Sequence, residues 1–142
     1  MFNKILVAFD NGEQAKRALD MAIEMAEIYK SKISIVTTIN LSSYNLTFSE
    51  VSVIKSIDDE TRNRIVGAME EVAERARKDG IEVKTEVLSG VPGETIVKYI
   101  EKEKIDLAIM GSSNRSSINK MFLGSVSSYV VQNAPCKVMV IK

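Results

Sequence analysis

Residues 5–10 of the chain read ILVAFD, an unbroken apolar run that ends in a carboxylate. A strand that is buried on both faces has this composition, and such strands belong to parallel sheets that are covered by helices. A turn signal follows at Asn11-Gly12, and apolar residues then recur at helical spacing. Asn11, with Gln14 three residues later, resembles a capping box. The stretch therefore predicts a buried first strand and a helix over 13–30.

Strand and helix patterns alternate through the rest of the chain. Further strands are predicted over 33–39, 81–87, 107–110 and 138–141, and further helices over 58–79, 92–103 and 125–133. Residues 40–57 are rich in Ser, Asn and Thr and predict a long loop. The third strand alternates apolar with charged residues, which is typical of an edge. The whole pattern predicts an α/β fold, with a single five-stranded parallel sheet in the order 3-2-1-4-5, helices on both faces and one domain over 1–142.

The composition excludes several kinds of function. The 142 residues include 19 Lys and Arg, 19 Asp and Glu, one cysteine and no histidine. Without histidine there is no Ser-His-Asp triad, Cys-His pair or His-ligated metal, and one cysteine cannot form an internal disulfide. The balanced charge gives no electrostatic case for nucleic acid or for an anionic membrane as a partner. No apolar stretch approaches the roughly 20 residues that span a bilayer. We therefore expect a soluble, cytoplasmic protein.

The predicted strand order places a ligand crevice between Asp10 and Gly111, because open α/β sheets bind ligands where the strand order reverses. No Asp or Glu occurs from residue 107 to residue 142, and serines crowd the same region. Backbone donors at Gly111 and Gly124 and a helix start at Ser125 are typical of an anion site. The alternative is a serine-rich loop with an ordinary cap at Ser125, and the switch-point position favours phosphate.

Asp10 also has two interpretations. Its carboxylate can accept a hydrogen bond from a ribose hydroxyl or an adenine amino group, or reach a phosphate-bound metal. It can equally cap the helix that follows, which is a common role for aspartate and the one that the residues alone favour. Two sharper motifs are missing, since the chain contains neither GxxxxGK[ST] nor GxGxxG after the first strand.

Taken together, these pieces resemble the universal stress protein family, over nearly the whole chain. The resemblance rests on segments in a specific order and spacing, namely residues 5–10, 90–92, 106–111, 123–126 and 134–138. The ATP-binding branch of that family has the pattern Gly-x2-Gly-x9-Gly-Ser/Thr. This chain keeps the spacing with Gly111, Gly124 and Ser125, but Asn114 replaces the second glycine. Asparagine tolerates a left-handed backbone better than other non-glycine residues do.

The resemblance implies a Rossmann-like fold that binds ATP, with Mg or Mn as an accompanying metal and no catalytic residue. The implied contacts are Asp10 to the adenosine part, the backbone of Thr38 to the adenine edge, Gly111, Ser112 and Asn114 to ribose and phosphates, and Gly124, Ser125 and Val126 to the phosphates.

The function implied by the resemblance is a regulatory protein of the stress response, which acts on a protein partner that the sequence does not identify. One alternative is a dimeric interaction module of the same family that binds no nucleotide, and another is a slow ATP hydrolase. The resemblance also implies a homodimer through the C-terminal strand. Residues 138–141 give an independent reason, because an apolar edge strand left unpaired is prone to aggregate.

Overall fold

The computed structural model describes residues 1–10, 12–39, 51–112 and 124–142, and for residues 51–58 it describes the backbone only. The strands are β1 (Lys4–Ala8), β2 (Lys32–Ile39), β3 (Val83–Ser89), β4 (Leu107–Gly111) and β5 (Lys137–Ile141). The helices are α1 (Glu13–Tyr29), α2 (Val51–Lys78), α3 (Pro92–Glu103) and α4 (Ser125–Asn133). Strands and helices alternate along the chain, as a parallel sheet with crossover connections requires.

The strands form one parallel sheet in the order β3-β2-β1-β4-β5, which confirms the prediction. The two apolar runs of the sequence supply the central strands. Leu6 of β1 lies in register with Ser34 on one side and with Ala108 on the other. Because the chain order reverses between β1 and β4, the switch point falls between these two strands.

Two apolar clusters hold the helices against the sheet. The first lies between the sheet and helices α1 and α2, and the second lies between the sheet and helices α3 and α4. Along β1, Ile5 and Val7 belong to the first cluster and Leu6 to the second, and all three are fully buried. Burying a side chain of this size contributes about 1.5–3 kcal/mol. The carboxyl ends of β1 and β4 are therefore fixed by packing on both faces.

The start of α1 differs from the prediction. Its N-cap is Gly12, with no side-chain cap hydrogen bond, and Asn11 lies outside the described residues. Gln14 does not reach back to the helix start as a capping box requires. Its Nε2 donates instead to Ser112 Oγ at 3.2 Å, just beyond the end of β4. The predicted capping box is therefore wrong, and Gln14 lies at the carboxyl end of β4.

The long loop predicted over 40–57 is wrong in its second part. Helix α2 begins at Val51 rather than near residue 58, and residues 40–50 lie outside the described residues. The segment contains serines and β-branched residues, which have a weak preference for the helical state. Extending an existing helix costs little free energy compared with starting a new one. The strong helix that follows can therefore continue back into this segment.

Candidate functional site

An open cleft of about 220 Å³ lies at the carboxyl end of the sheet, between β1 and β4. We call it the switch-point cleft. Of the residues that the sequence analysis assigned to a ligand, the cleft is lined by Asp10, Thr38, Gly111, Ser125 and Val126. Ser112 and Gly124 are joined to each other beside it by a backbone hydrogen bond. Asn114 lies outside the described residues.

The walls of the cleft differ in polarity. Val36, Ile96 and Met110 line one wall and are at most 4% exposed. They belong to the apolar cluster beneath α3 and α4, and Thr38 lines the cleft near the end of the same strand as Val36. Asp10 and the starts of helices α1 and α4 supply the polar part. Pockets for small molecules combine an apolar lining with a few polar groups in this way.

Asp10 is exposed at the rim of the cleft, two residues after the end of β1. Its Oδ1 accepts a hydrogen bond from the Gly12 amide at 2.9 Å. A methyl group at position 12 would lie 3.0 Å from the same oxygen, so the tight turn favours glycine there. The carboxylate therefore fulfils part of the structural role that the sequence suggested, because it pairs with the N-cap residue of α1.

The amino terminus of α4 opens into the cleft. Gly124 is its N-cap, in an extended backbone conformation with φ −64° and ψ 163°, and no side chain of the described residues caps the helix. Ser128 N–H donates to Gly124 O at 2.9 Å and closes the first turn. The amides that precede Ser128 in this turn, those of Ser125, Val126 and Ser127, have no carbonyl partner within the helix. Together with the helix dipole, they make this end attractive to an anion.

Ser112 connects the polar elements of the cleft. Its N–H donates to Ile141 O at 2.9 Å, and its carbonyl oxygen accepts from the Gly124 amide at 3.3 Å. The second bond holds together the two ends of the segment 113–123, which itself lies outside the described residues. Because the Gly124 amide is engaged in this way, the helix amides that follow it are the better placed donors for a ligand.

Gly111 is a glycine because α1 passes close to the end of β4. A methyl group at position 111 would lie 2.8 Å from Gln14 Cβ, which is closer than side-chain carbons approach. Sequence reasoning assigned Gly111 to the ligand and did not find Gln14. The contact that was missed is the hydrogen bond between Gln14 and Ser112. These residues are 98 positions apart in the sequence, and no local motif indicates a contact at that separation.

Several other features bear on the chemistry of the described part of the chain. It contains no group of three or more His, Cys, Asp or Glu residues that could hold a metal ion. The thiol of Cys136 is half-buried in the cluster under α3 and α4, and burial raises its pKa, which disfavours a reactive thiolate. Within the same residues, no helix has both the length and the apolar character needed to cross a membrane.

The sheet order and the cleft define the class of protein as an open α/β fold with a cleft at its switch point. The chain matches the model of the universal stress protein family over residues 1–142, and it belongs to this family. It is 29% identical over 150 residues to universal stress protein YxiE of Bacillus subtilis, with 100% of both chains covered. The structure of UspA from Lactobacillus plantarum is 28% identical, with a TM-score of 0.89, and covers 99% of this chain and 98% of its own.

Two further structures share the fold at lower sequence identity. One is a universal stress protein in complex with cAMP, 21% identical with a TM-score of 0.69, covering 99% of this chain and 97% of its own. The other is the universal stress protein from Archaeoglobus fulgidus in complex with dAMP, 18% identical with a TM-score of 0.67, covering 100% and 98%. At these identities the likeness to this chain is one of fold.

Proposed function

We propose that this chain is a nucleotide-binding regulatory protein of the stress response that holds ATP in the switch-point cleft. The observation that carries the proposal is the amino terminus of α4, which lines the same cleft as Asp10 and which no side chain of the described residues caps. The first amides of a helix have no carbonyl partner within the helix, and with the helix dipole they favour the binding of phosphate groups. The complexes of the same fold with cAMP and dAMP support the nucleotide class.

In the proposed pose, the adenosine part occupies the cleft and the phosphates lie at its rim. A volume of about 220 Å³ is below the roughly 300–1,000 Å³ of pockets that enclose a whole drug-sized ligand. The adenine ring packs on the apolar wall, with its edge at the backbone of Thr38. Asp10 accepts a hydrogen bond from the adenosine part. This placement uses the difference in polarity between the two walls.

The phosphates lie at the start of α4 in this pose. The amides of Ser125 and Val126 donate to the phosphate oxygens, and Ser112 and Gly111 border the same region. Gly124 contributes by positioning the helix, since its own amide donates to Ser112 O. An accompanying Mg or Mn ion is held by the phosphates. We also propose that Asn114 faces the ligand, as the spacing of the glycine motif implies.

A second candidate function is a dimeric interaction module that binds no nucleotide. The observation that favours it is Asn114, which replaces the second glycine of the ATP-binding pattern. In either case we propose a cytoplasmic homodimer that pairs through β5 and acts on a protein partner. Slow ATP hydrolysis is the weakest candidate, because Asp10 is the one carboxylate among the described residues that line the cleft.

The proposal is tested by titrating the protein with Mg-ATP while measuring heat and melting temperature. The sharpest variant is Ser125→Pro, which removes one amide donor from the first position of α4. Proline is tolerated at that position of a helix, as Pro92 is in α3, and the extended backbone of Gly124 suits a following proline. A hydrogen bond to a charged group is worth about 1.5–3 kcal/mol, so Ser125→Pro is expected to weaken ATP binding roughly tenfold or more.

The matched control is Ser125→Ala, which removes the hydroxyl and keeps the amide, and its affinity for ATP should stay close to that of the wild type. Asn114→Gly separates the two candidate functions, since a large gain in affinity would favour the module that binds no nucleotide. The proposal of ATP binding fails if millimolar Mg-ATP neither binds nor raises the melting temperature.

A further inference from the structure

Gln14 is a polar side chain of the switch-point cleft that the proposed pose does not use. It is the second residue of α1, and it packs across Gly111 at the end of β4. One end of its amide is anchored, because Nε2 donates to Ser112 Oγ at 3.2 Å. Within the described part of the chain, this is the one hydrogen bond between a side chain of α1 and the residue that follows β4.

The other end of the same amide is buried without a partner. Gln14 Oε1 is shielded from solvent, and no described residue donates a hydrogen bond to it. Buried acceptors of this kind are rare in native proteins, because the hydrogen bonds lost from water are not replaced. The unpaired Oε1 therefore lowers the stability of the fold. Stability for this reason does not explain why residue 14 is a glutamine.

Ser112 has one hydrogen-bonding group left for a ligand. Its N–H and its carbonyl oxygen bond to Ile141 O and to the Gly124 amide, and its Oγ accepts from Gln14. A serine hydroxyl that accepts a hydrogen bond still has its own proton to donate. The bond to Gly124 places Ser112 beside the start of α4, where the amides attract an anion.

We propose that Gln14 is a positioning residue that directs the Ser112 hydroxyl proton toward an anionic group bound at the start of α4. The inference rests on the proposed function, in which that anion is the phosphate tail of ATP. If the amide were reversed, Oε1 would accept the hydroxyl proton and the ligand would lose a donor. The observed orientation leaves the Ser112 proton free for a phosphate, and the loss of stability from the unpaired Oε1 is offset by affinity for the ligand.

The test compares Mg-ATP with adenosine as ligands of the wild type and of Gln14→Met, which keeps the length of the side chain and removes its polar atoms. Affinity for Mg-ATP is expected to fall roughly three- to tenfold, the worth of one hydrogen bond, whereas affinity for adenosine stays unchanged. The melting temperature of the ligand-free protein is expected to rise by about 2–4 °C, because the unpaired acceptor is gone. A residue with a purely structural role would shift both ligands together and would lower the melting temperature.

Three further variants complete the test. Gln14→Glu keeps the shape but accepts the Ser112 proton, so it should weaken Mg-ATP binding more than Gln14→Met does. In a Ser112→Ala background, Gln14→Met should have no further effect on Mg-ATP, because the two residues act through the same hydroxyl. Gln132→Met makes the same substitution at an exposed position of α4 and should leave the affinity for both ligands unchanged.

The outcomes distinguish this inference from the function on which it rests. If the wild type binds neither ligand, the proposed function fails and the inference fails with it. If the wild type binds Mg-ATP and Gln14→Met binds it equally well, only the role of Gln14 is overturned. The same conclusion follows if the losses for Mg-ATP and adenosine are equal, or if the effects of Gln14→Met and Ser112→Ala simply add.

Discussion

The two edges of the sheet, β3 and β5, differ in whether side chains bond to their outward-facing backbone groups. At the β3 edge, arginines of α2 reach over the strand and bond to its carbonyls. Arg77 Nη2 donates to Val83 O at 2.9 Å, and Arg62 Nη2 donates to Val87 O at 3.1 Å. Alternate residues of a strand direct their backbone groups to the same side, so these two carbonyls face away from β2. Two of the acceptors that an added strand would need are therefore occupied.

The β5 edge has a different character. Ile141 O accepts the Ser112 amide proton at 2.9 Å, so the backbone groups of Ile141 face inward. The alternation then directs the amides and carbonyls of Val138 and Val140 outward. From Val138 to Ile141 the strand carries no charged residue. Exposed edges with apolar side chains and unblocked backbone groups are the ones that pair with another strand.

The comparison gives a physical reason for the proposed dimer to form at one edge and not at the other. Charged side chains on β3 and the arginines above it protect that edge from association. On β5 the one charged residue is Lys137 at the start of the strand, and among the described residues no arginine is seen to bond to its outward carbonyls. We therefore expect substitutions at the two edges to have different consequences.

The largest expected effect is that of Val140→Pro on the oligomeric state. Proline removes an outward-facing amide from β5 and leaves the bonds to β4 in place, so it blocks strand addition without breaking the sheet. The mass in solution should fall from about twice 15.7 kDa to 15.7 kDa, as measured by light scattering after size exclusion. Circular dichroism should stay unchanged.

The matched substitution at the other edge is Val87→Pro, which removes an outward-facing amide of β3 and keeps the carbonyl that Arg62 contacts. It should leave the dimer intact. A wild-type protein that is monomeric at all concentrations, or a dimer that Val87→Pro dissociates, would contradict the assignment of the interface to β5.

How far the sequence predicts this molecule depends on the separation of the residues involved. The apolar runs that contain Leu6 and Ala108 specify central strands, and the charged residues of the third strand specify an edge. Asp10 and Gly111 line one cleft because each lies at the carboxyl end of a central strand, and this placement follows from topology alone. The fold and the location of the cleft are therefore predictable.

The long-range side-chain contacts at the cleft and at the sheet edges are not predictable in the same way. Gln14 suggested a local capping box, yet its amide bonds to Ser112. The arginines of α2 resemble ordinary surface charges until the strand beneath them is placed. Each of these side chains is long and has several rotamers, so its partner depends on the packing of two elements and not on local pattern. The early start of α2 was missed because helix propensity is a weak guide at helix ends.

A smaller effect is expected from Arg77→Met at the β3 edge. Arg77 is two-thirds buried and joins three acceptors, since its Nη1 donates to Glu70 at 2.6 Å and to Glu74 at 3.2 Å while its Nη2 holds Val83 O. The variant should lower the free energy of unfolding in urea, because the three acceptors lose their shared donor.

The control for this variant is Lys16→Met, which removes an exposed pair with Glu13 at 3.8 Å and should change the free energy of unfolding by less than about 0.5 kcal/mol. Equal effects of Arg77→Met and Lys16→Met would mean that the arginine contributes nothing specific to the β3 edge. A gain in self-association of Arg77→Met would support the view that the arginine blocks this edge.

The smallest expected effect is the response of the β3 edge to acid. The hydrogen bond from Arg77, and next the one from the Thr85 hydroxyl, lower the pKa of Glu70 below its ordinary 4.5. A carboxylate with a lowered pKa stabilises the fold above pH 4.5, and this contribution is lost as the pH falls through the folded value. Because the Glu70 side chain is 42% exposed, solvent screens the pair and the contribution should stay below about 1 kcal/mol.

Urea unfolding between about pH 6 and pH 3 should therefore show a shallower loss of stability for Glu70→Gln than for the wild type, with Thr85→Val between them. Identical pH profiles for the three proteins would show that Arg77 holds the β3 edge without help from the charge of Glu70.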